Sequence, residues 1–135
     1  MIKLIVGNKG SGKTKILIDM INHSLQTSDG NVGCIERGMK LTYEINHNCR
    51  LIDAEEYGVE GFDMFFGFLS GLLAGNYDIK DVYVDGILKI GGRDYDKLGE
   101  MFDKVDALSS KSNVNVVFTV SADSSELPES VKKFA

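Results

Sequence analysis

"IKLIVGNKGSGKT", residues 2–14, decides how this chain is read. Its first half is a short apolar run, residues 2–6, that suits a buried β-strand. Its second half places glycine at positions 7, 10 and 12 and ends in Lys13 and Thr14. A turn that wraps a small anion needs backbone N–H groups pointing inward, and side chains would obstruct it. Glycine tolerates the dihedral angles such a turn demands. Behind the loop, residues 13–27 read as a helix with Leu17, Met20, Ile21, Ser24 and Leu25 on one face, stopped by "SDGN". The dipole of that helix favours negative charge at the loop.

The same strand-then-helix alternation continues outward from this stretch. Strands are predicted at 32–36, 49–53, 81–86 and 114–121. Residues 60–75 read as a helix that is apolar on most sides. Asp94 reads as an N-cap, followed at helical spacing by Tyr95, Leu98, Met101, Phe102, Val105 and Leu108. Pro128 suits the first turn of a closing helix over 128–134. Residues 37–48 fit either an edge strand or one helical turn. The alternation predicts an α/β fold, a three-layer sandwich with a mostly parallel sheet of about five strands and helices on both faces. No repeat or internal boundary is visible, so 1–135 reads as a single domain.

Composition narrows the functional classes. Hydrophobic residues make up 43% and charged residues 26%, with one proline, which argues for a globular chain rather than a disordered one. A net charge of -5 gives no general attraction to nucleic acid or to anionic lipid. Residues 1–28 nevertheless carry Lys3, Lys9, Lys13 and Lys15 against Asp19 alone. A basic spot on an acidic chain reads as a small anion site rather than a DNA groove. Cys34 and Cys49, with no signal-like leader, fit a reducing cytoplasmic setting. The most apolar stretch, 62–75, is too short to span a bilayer.

"GNKGSGKT" fits G-x-x-x-x-G-K-[ST] at Gly7, Gly12, Lys13 and Thr14. In that pattern the backbone from Gly7 through Asn8, Lys9, Gly10, Ser11 and Gly12 to Lys15 surrounds the phosphates. Lys13 reaches the outer two, and the Thr14 hydroxyl ligates Mg²⁺. "VYVDG" supports it, because a carboxylate at a strand end, Asp85, suits a magnesium partner acting through water. A dinucleotide site fails on spacing, since "GSGKTK" has Lys15 where the third glycine belongs.

These two elements resemble the Walker A and Walker B motifs of the P-loop NTPases, and the resemblance covers the whole chain as an alternating core. More narrowly, "MIKLIVGNKGSGKT", "RLIDAEEYG", "VYVDGILKI" and "ELPESVKKF" resemble a group of short bacterial ATP-binding proteins often labelled twitching-motility ATPases. Those motors are similar only at the loop: they carry a glutamate-containing Walker B, histidine motifs and an N-terminal domain. A thymidine-kinase-like core is similar in outline, but it carries zinc cysteines and a glutamate where Gly86 stands here. The resemblance implies binding of a nucleoside triphosphate, most simply ATP, with Mg²⁺, and allows slow hydrolysis. Two alternatives stay open. One is a small-molecule kinase, with 37–48 serving as a lid. The other is a non-hydrolysing sensor whose ATP-set conformation a protein partner reads.

Hydrolysis needs a carboxylate to orient water and often a cation for the terminal phosphate. Position 86 is glycine, so the substitutes are Glu36 and Asp53, each at a predicted strand end, which read equally well as solvated turn carboxylates. Arg37 and Arg93 are candidate cations or surface residues. Thr119 and Ser121, at the end of the last strand, either sense the terminal phosphate or satisfy nearby backbone. Cys34, His47 and Cys49 are poorly spaced for zinc, and His23 reads as a surface residue. Gly67, Gly71 and Gly75, four apart, form one stripe, read either as tight packing onto the sheet or as a homodimer contact.

Overall fold

The computed structural model of the chain describes residues 1–38 and 44–135. Five strands, β1 (Ile2–Gly7), β2 (Asn31–Glu36), β3 (Arg50–Asp53), β4 (Ile79–Asp85) and β5 (Asn115–Ser121), form one sheet in the order β1-β5-β4-β2-β3. Every pairing is parallel. Parallel strands are buried on both faces, which is why the central strands read as nearly continuous apolar runs rather than alternating ones. The connecting helices are α1 (Lys13–Thr27), α2 (Phe62–Ala74), α3 (Ile87–Gly91), α4 (Tyr95–Ser112) and α5 (Glu129–Lys132). A 3₁₀ turn at Ser124–Glu126 precedes α5.

Helices cover both faces and make three layers. On one side Leu17 and Ile21 of α1 bury against Val32, Cys34, Tyr83 and Val117. The Tyr83 hydroxyl hydrogen-bonds Ser24 and donates to the Met20 carbonyl at 3.3 Å, which pins α1 across the middle of the sheet. On the other side Phe65 and Leu69 of α2, Phe102 of α4 and Val131 of α5 bury against Val82, Val84, Val116 and Phe118. The Phe118 ring lies 4.8 Å from Phe102 and 5.9 Å from Phe65, centroid to centroid. Burying each of these rings fully contributes about 2–3 kcal/mol.

The expected elements are present, with instructive differences. α1 occupies the predicted span, and Asp94 caps α4 by accepting from the Lys97 amide at 3.1 Å. Pro128 precedes α5 as its N-cap, and α5 is a single turn. α3 has no counterpart in the sequence reading, because five residues carry too little periodicity. β5 lies between β1 and β4, so the end of β4 is not the immediate neighbour of β1. The glycine stripe does not pack on the sheet: the buried side of α2 is Phe62, Phe65, Leu69 and Leu73, and a Cβ at Gly67 or Gly71 would meet open space. The edge-strand and single-turn alternatives for 37–48 fall largely on 39–43, outside the described residues. Among the described residues no helix is long and apolar enough to cross a membrane.

Candidate functional site

The site begins where β1 ends. After Gly7 the backbone turns through Asn8–Gly12, with the Ser11 amide donating to the Asn8 carbonyl at 3.1 Å, and α1 starts at Lys13. Gly10 and Gly12 have φ of 85° and 88°, in the left-handed region where a Cβ is strained. Gly7 is needed for a different reason than its dihedral angle. A Cβ there would overlap the Ser11 hydroxyl and press on the Ser11 Cβ.

The start of α1 has no side chain capping it and no acid in its first turn. Its first N–H groups and its dipole therefore face the loop without an internal anion. Lys13 is 7% exposed and donates to the Asn8 carbonyl at 2.9 Å, with the Ser11 hydroxyl at 3.5 Å. Burial lowers its pKa, the Asp85 charge opposes that shift, and the charge of Lys89 adds to it. Lys9 and Lys15 are exposed on either side.

Strand register builds the other wall. Glu36 stands opposite Asp53 on one side and Asp85 on the other, so three carboxylates form a row across the carboxyl ends of β3, β2 and β4. These positions share a face with Cys34 and Tyr83, two residues upstream, which pack beneath α1. The Thr119 hydroxyl on β5 extends the row, donating to Asp85 Oδ1 at 2.8 Å and accepting from the Gly86 amide at 2.7 Å. Thr14 closes it from the helix side, with its hydroxyl 3.5 Å from the same Oδ1. One carboxylate oxygen thus joins the loop helix to two strands.

The remaining sequence candidates separate. Glu36 is 4% exposed and belongs to the row. Asp53 Oδ1 accepts from the Gly38 and Glu55 amides, each at 2.9 Å, so one of its oxygens closes a local turn. Arg37 donates to the Lys89 carbonyl at 3.1 Å, which holds it over α3. Arg93 lines a cleft of about 520 Å³ between the starts of α2 and α4, on the other face of the sheet. Ser121 is half-buried and in register with Gly7. His23 is exposed, and among the described residues no cluster of three histidine, cysteine or acidic side chains is arranged to hold a metal.

Two neighbours of the site escaped sequence reasoning. Asp123, just past β5, accepts from the Ser125 amide at 2.9 Å and hydroxyl at 2.8 Å, and these bonds, with a smaller effect from the nearby Asn8 side chain, hold its pKa low. Asp-Ser-Ser after a strand is a legible turn signal, but its link to the loop is not. Lys89 lies on α3, and its side chain runs back over Gly86. No periodicity marks it.

The donor set at Thr14 and Asp85, a hydroxyl and a carboxylate, consists of hard oxygens of the kind a Mg²⁺ ion takes through a few protein contacts. In that respect the residues fit the ion.

No family model matches this sequence, and no curated protein matches it. Among solved structures, the flagellar accessory protein FlaH from Methanocaldococcus jannaschii superposes with a TM-score of 0.60 at 18% identity. The match covers 98% of this chain and 65% of that one. At that identity the likeness speaks for the fold alone: a three-layer α/β sandwich around a parallel sheet.

Proposed function

We propose that this chain binds a nucleoside triphosphate, most simply ATP, together with Mg²⁺, through a Walker A loop at Gly7–Thr14 and a Walker B carboxylate at Asp85. The observation that carries the proposal is the convergence of the Thr14 hydroxyl and Asp85 Oδ1, 3.5 Å apart, at the mouth of a glycine turn whose helix start is uncapped. In this reading the amides from Asn8 to Lys15 receive the phosphate oxygens, and Lys13 leaves the Asn8 carbonyl to reach the outer two phosphates. Thr14, and Asp85 through water, hold the ion, which supplies neutralisation of charge on the phosphates. Thr119 keeps Asp85 oriented by its hydrogen bond.

Glu36 supports turnover over pure sensing. It is a buried carboxylate on the strand beside Asp85 and in register with it, and in this reading it would orient water or an acceptor hydroxyl toward the terminal phosphate. Asp53, tied into its own turn, is the weaker choice for that role. The resemblance to short bacterial ATP-binding proteins agrees with this reading.

Calorimetry with Mg-ATP, and phosphate release followed in the same samples, tests the proposal. Binding with slow release, both lost in Lys13→Ala, is the expected result. Release only when an acceptor is supplied would assign the kinase instead. Absence of binding to the wild-type chain would remove the proposal.

A further inference from the structure

We propose that the amino end of the sheet carries a second ligand site, a cavity over Gly33 that takes a small organic carboxylate with an apolar body. The inference starts from a gap in a strand. Gly33 lies inside β2 and is buried. It stands in register with Val82 on one side and Arg50 on the other. Position 33 shares its face with Ile35, which packs in the core beneath α2, and Val82 belongs to the same core. An apolar side chain would fit this row, and glycine weakens a strand interior. No steric conflict calls for glycine here: a Cβ at Gly33 would meet only the Arg50 carbonyl oxygen, at 3.9 Å. A strand glycine that leaves space marks a place where a ligand can approach the backbone closely.

That space belongs to a cavity of about 360 Å³ between the starts of β2 and β3 and the C-terminal end of α2. The volume falls among those of small-molecule pockets, about 300–1,000 Å³. Leu72, Ile52 and Ile79 give it an apolar surface. Its polar lining is one-sided in charge: Arg50, His47 and three asparagines, with no acidic side chain among the described residues. Arg50 has no ion pair among the described residues either. A guanidinium offers a planar fork of N–H donors that matches a carboxylate, and asparagine amides add neutral donors. An apolar body over Gly33 and a carboxylate on Arg50 would use both halves of the lining. The carboxylate row at the other end of the sheet shares its face with Cys34 and Tyr83, beneath α1. The sheet therefore separates the two sites, and this one stands without the nucleotide reading.

Amide shifts of the isotope-labelled chain, titrated with benzoate, hexanoate, acetate and benzyl alcohol, test this without nucleotide. Benzoate and hexanoate are expected to shift the Gly33 and Asn48 amides saturably. Acetate, which lacks the apolar body, should not. Benzyl alcohol, which lacks the charge, should bind more weakly than benzoate. Arg50→Gln, at an exposed position, is expected to weaken benzoate about tenfold and to leave benzyl alcohol where it was. Gly33→Val fills the space and should abolish binding of both. Thermal melts check that each variant is folded, and if Gly33→Val is not, Arg50→Gln decides alone. No saturable shift at these amides with either carboxylate overturns the proposal. So does benzyl alcohol binding as tightly as benzoate, or benzoate affinity that is unchanged in a folded variant.

Discussion

Thr119 and Asp85 stand on neighbouring strands, and the threonine hydroxyl is spent between them: it donates to Asp85 Oδ1 at 2.8 Å while accepting from the Gly86 amide at 2.7 Å. Thr119 is 1% exposed, so both bonds lie in a low-dielectric setting where an orphaned partner is costly. Replacing it with valine keeps the shape and removes both. Thr119→Val is expected to lower unfolding stability by about 1–3 kcal/mol, read by urea denaturation. It should also weaken the part of nucleotide binding that depends on magnesium more than the part that survives EDTA. Equal stability to the wild type would mean that the pair is not coupled as the geometry requires.

The two carboxylates beside Asp85 are expected to separate by experiment. Glu36 sits in the row, whereas Asp53 spends Oδ1 on two backbone amides. Glu36→Gln should leave Mg-ATP affinity within a few-fold and reduce turnover by about 10²-fold or more. Asp53→Asn keeps an acceptor oxygen for the turn and should leave turnover nearly unchanged. Asp53→Ala removes that acceptor and should cost about 1 kcal/mol or more in stability. The reverse pattern, with turnover lost at Asp53 and kept at Glu36, would exchange their roles.

Gly7 carries a prediction of a different kind. Its glycine is required by the Ser11 side chain lying over its α-carbon. Gly7→Ala must displace the Ser11 side chain, so nucleotide binding should weaken although the sheet persists by circular dichroism. Gly7→Ala combined with Ser11→Ala removes the nearest clash and should recover part of the affinity. No recovery in the double variant would show that the loop demands glycine there for another reason.

How much of this was legible in the sequence follows from which interactions are local. β1, its loop and α1 are specified by contiguous residues: an apolar run, glycines at fixed offsets, and an amphipathic face ending at "SDGN". The three carboxylates were visible as strand ends. Their order in space was not, nor was the placement of β5 between β1 and β4, because strand pairing is a long-range outcome that no local pattern records. The bond from Thr119 to Asp85 depends on that order. α3 escaped because a five-residue helix shows little more than Ile87 and Ile90 at a spacing of three, which also fits a turn after a strand. Lys89 escaped with it, since only the path of the chain after Gly86 lays its stem back over that glycine. The glycine stripe was visible, but the face of α2 that would bury was not decided by it: phenylalanine and leucine at 62, 65, 69 and 73 took the sheet.

The cysteines give a pH prediction. Burial pushes the Cys49 thiol up to about 11, and burial together with the nearby charges of Cys49, Glu36 and Asp85 raises Cys34 well above its ordinary value. A raised folded-state pKa means that the native chain holds these protons more tightly than the unfolded chain. Stability from this source is fully present below the unfolded thiol value, near 8.5, and is lost as pH rises toward and through the folded value. Thermal melts should fall more steeply with pH between about 9 and 11 in the wild type than in a Cys34→Ala, Cys49→Ala variant. The thiols should also react slowly with an alkylating reagent until the chain unfolds. Fast alkylation of the native chain at neutral pH would contradict the burial.

Gly67 and Gly71 supply the last prediction, and it bears on what α2 is for. Both are exposed helix-interior glycines, and an added Cβ meets nothing within 4 Å. Glycine in such a position costs about 0.5–1 kcal/mol relative to alanine, because its backbone loses more freedom on folding. With open space above the stripe no steric term opposes that gain. Gly67→Ala and Gly71→Ala should therefore each raise the unfolding midpoint. Chemical denaturation at several protein concentrations makes the measurement decisive. If a second backbone lies against the stripe in solution, alanine there lowers stability instead, and the loss depends on concentration as dissociation of a dimer does. If the chain leaves this face to solvent, stability rises by the propensity difference and concentration has no effect.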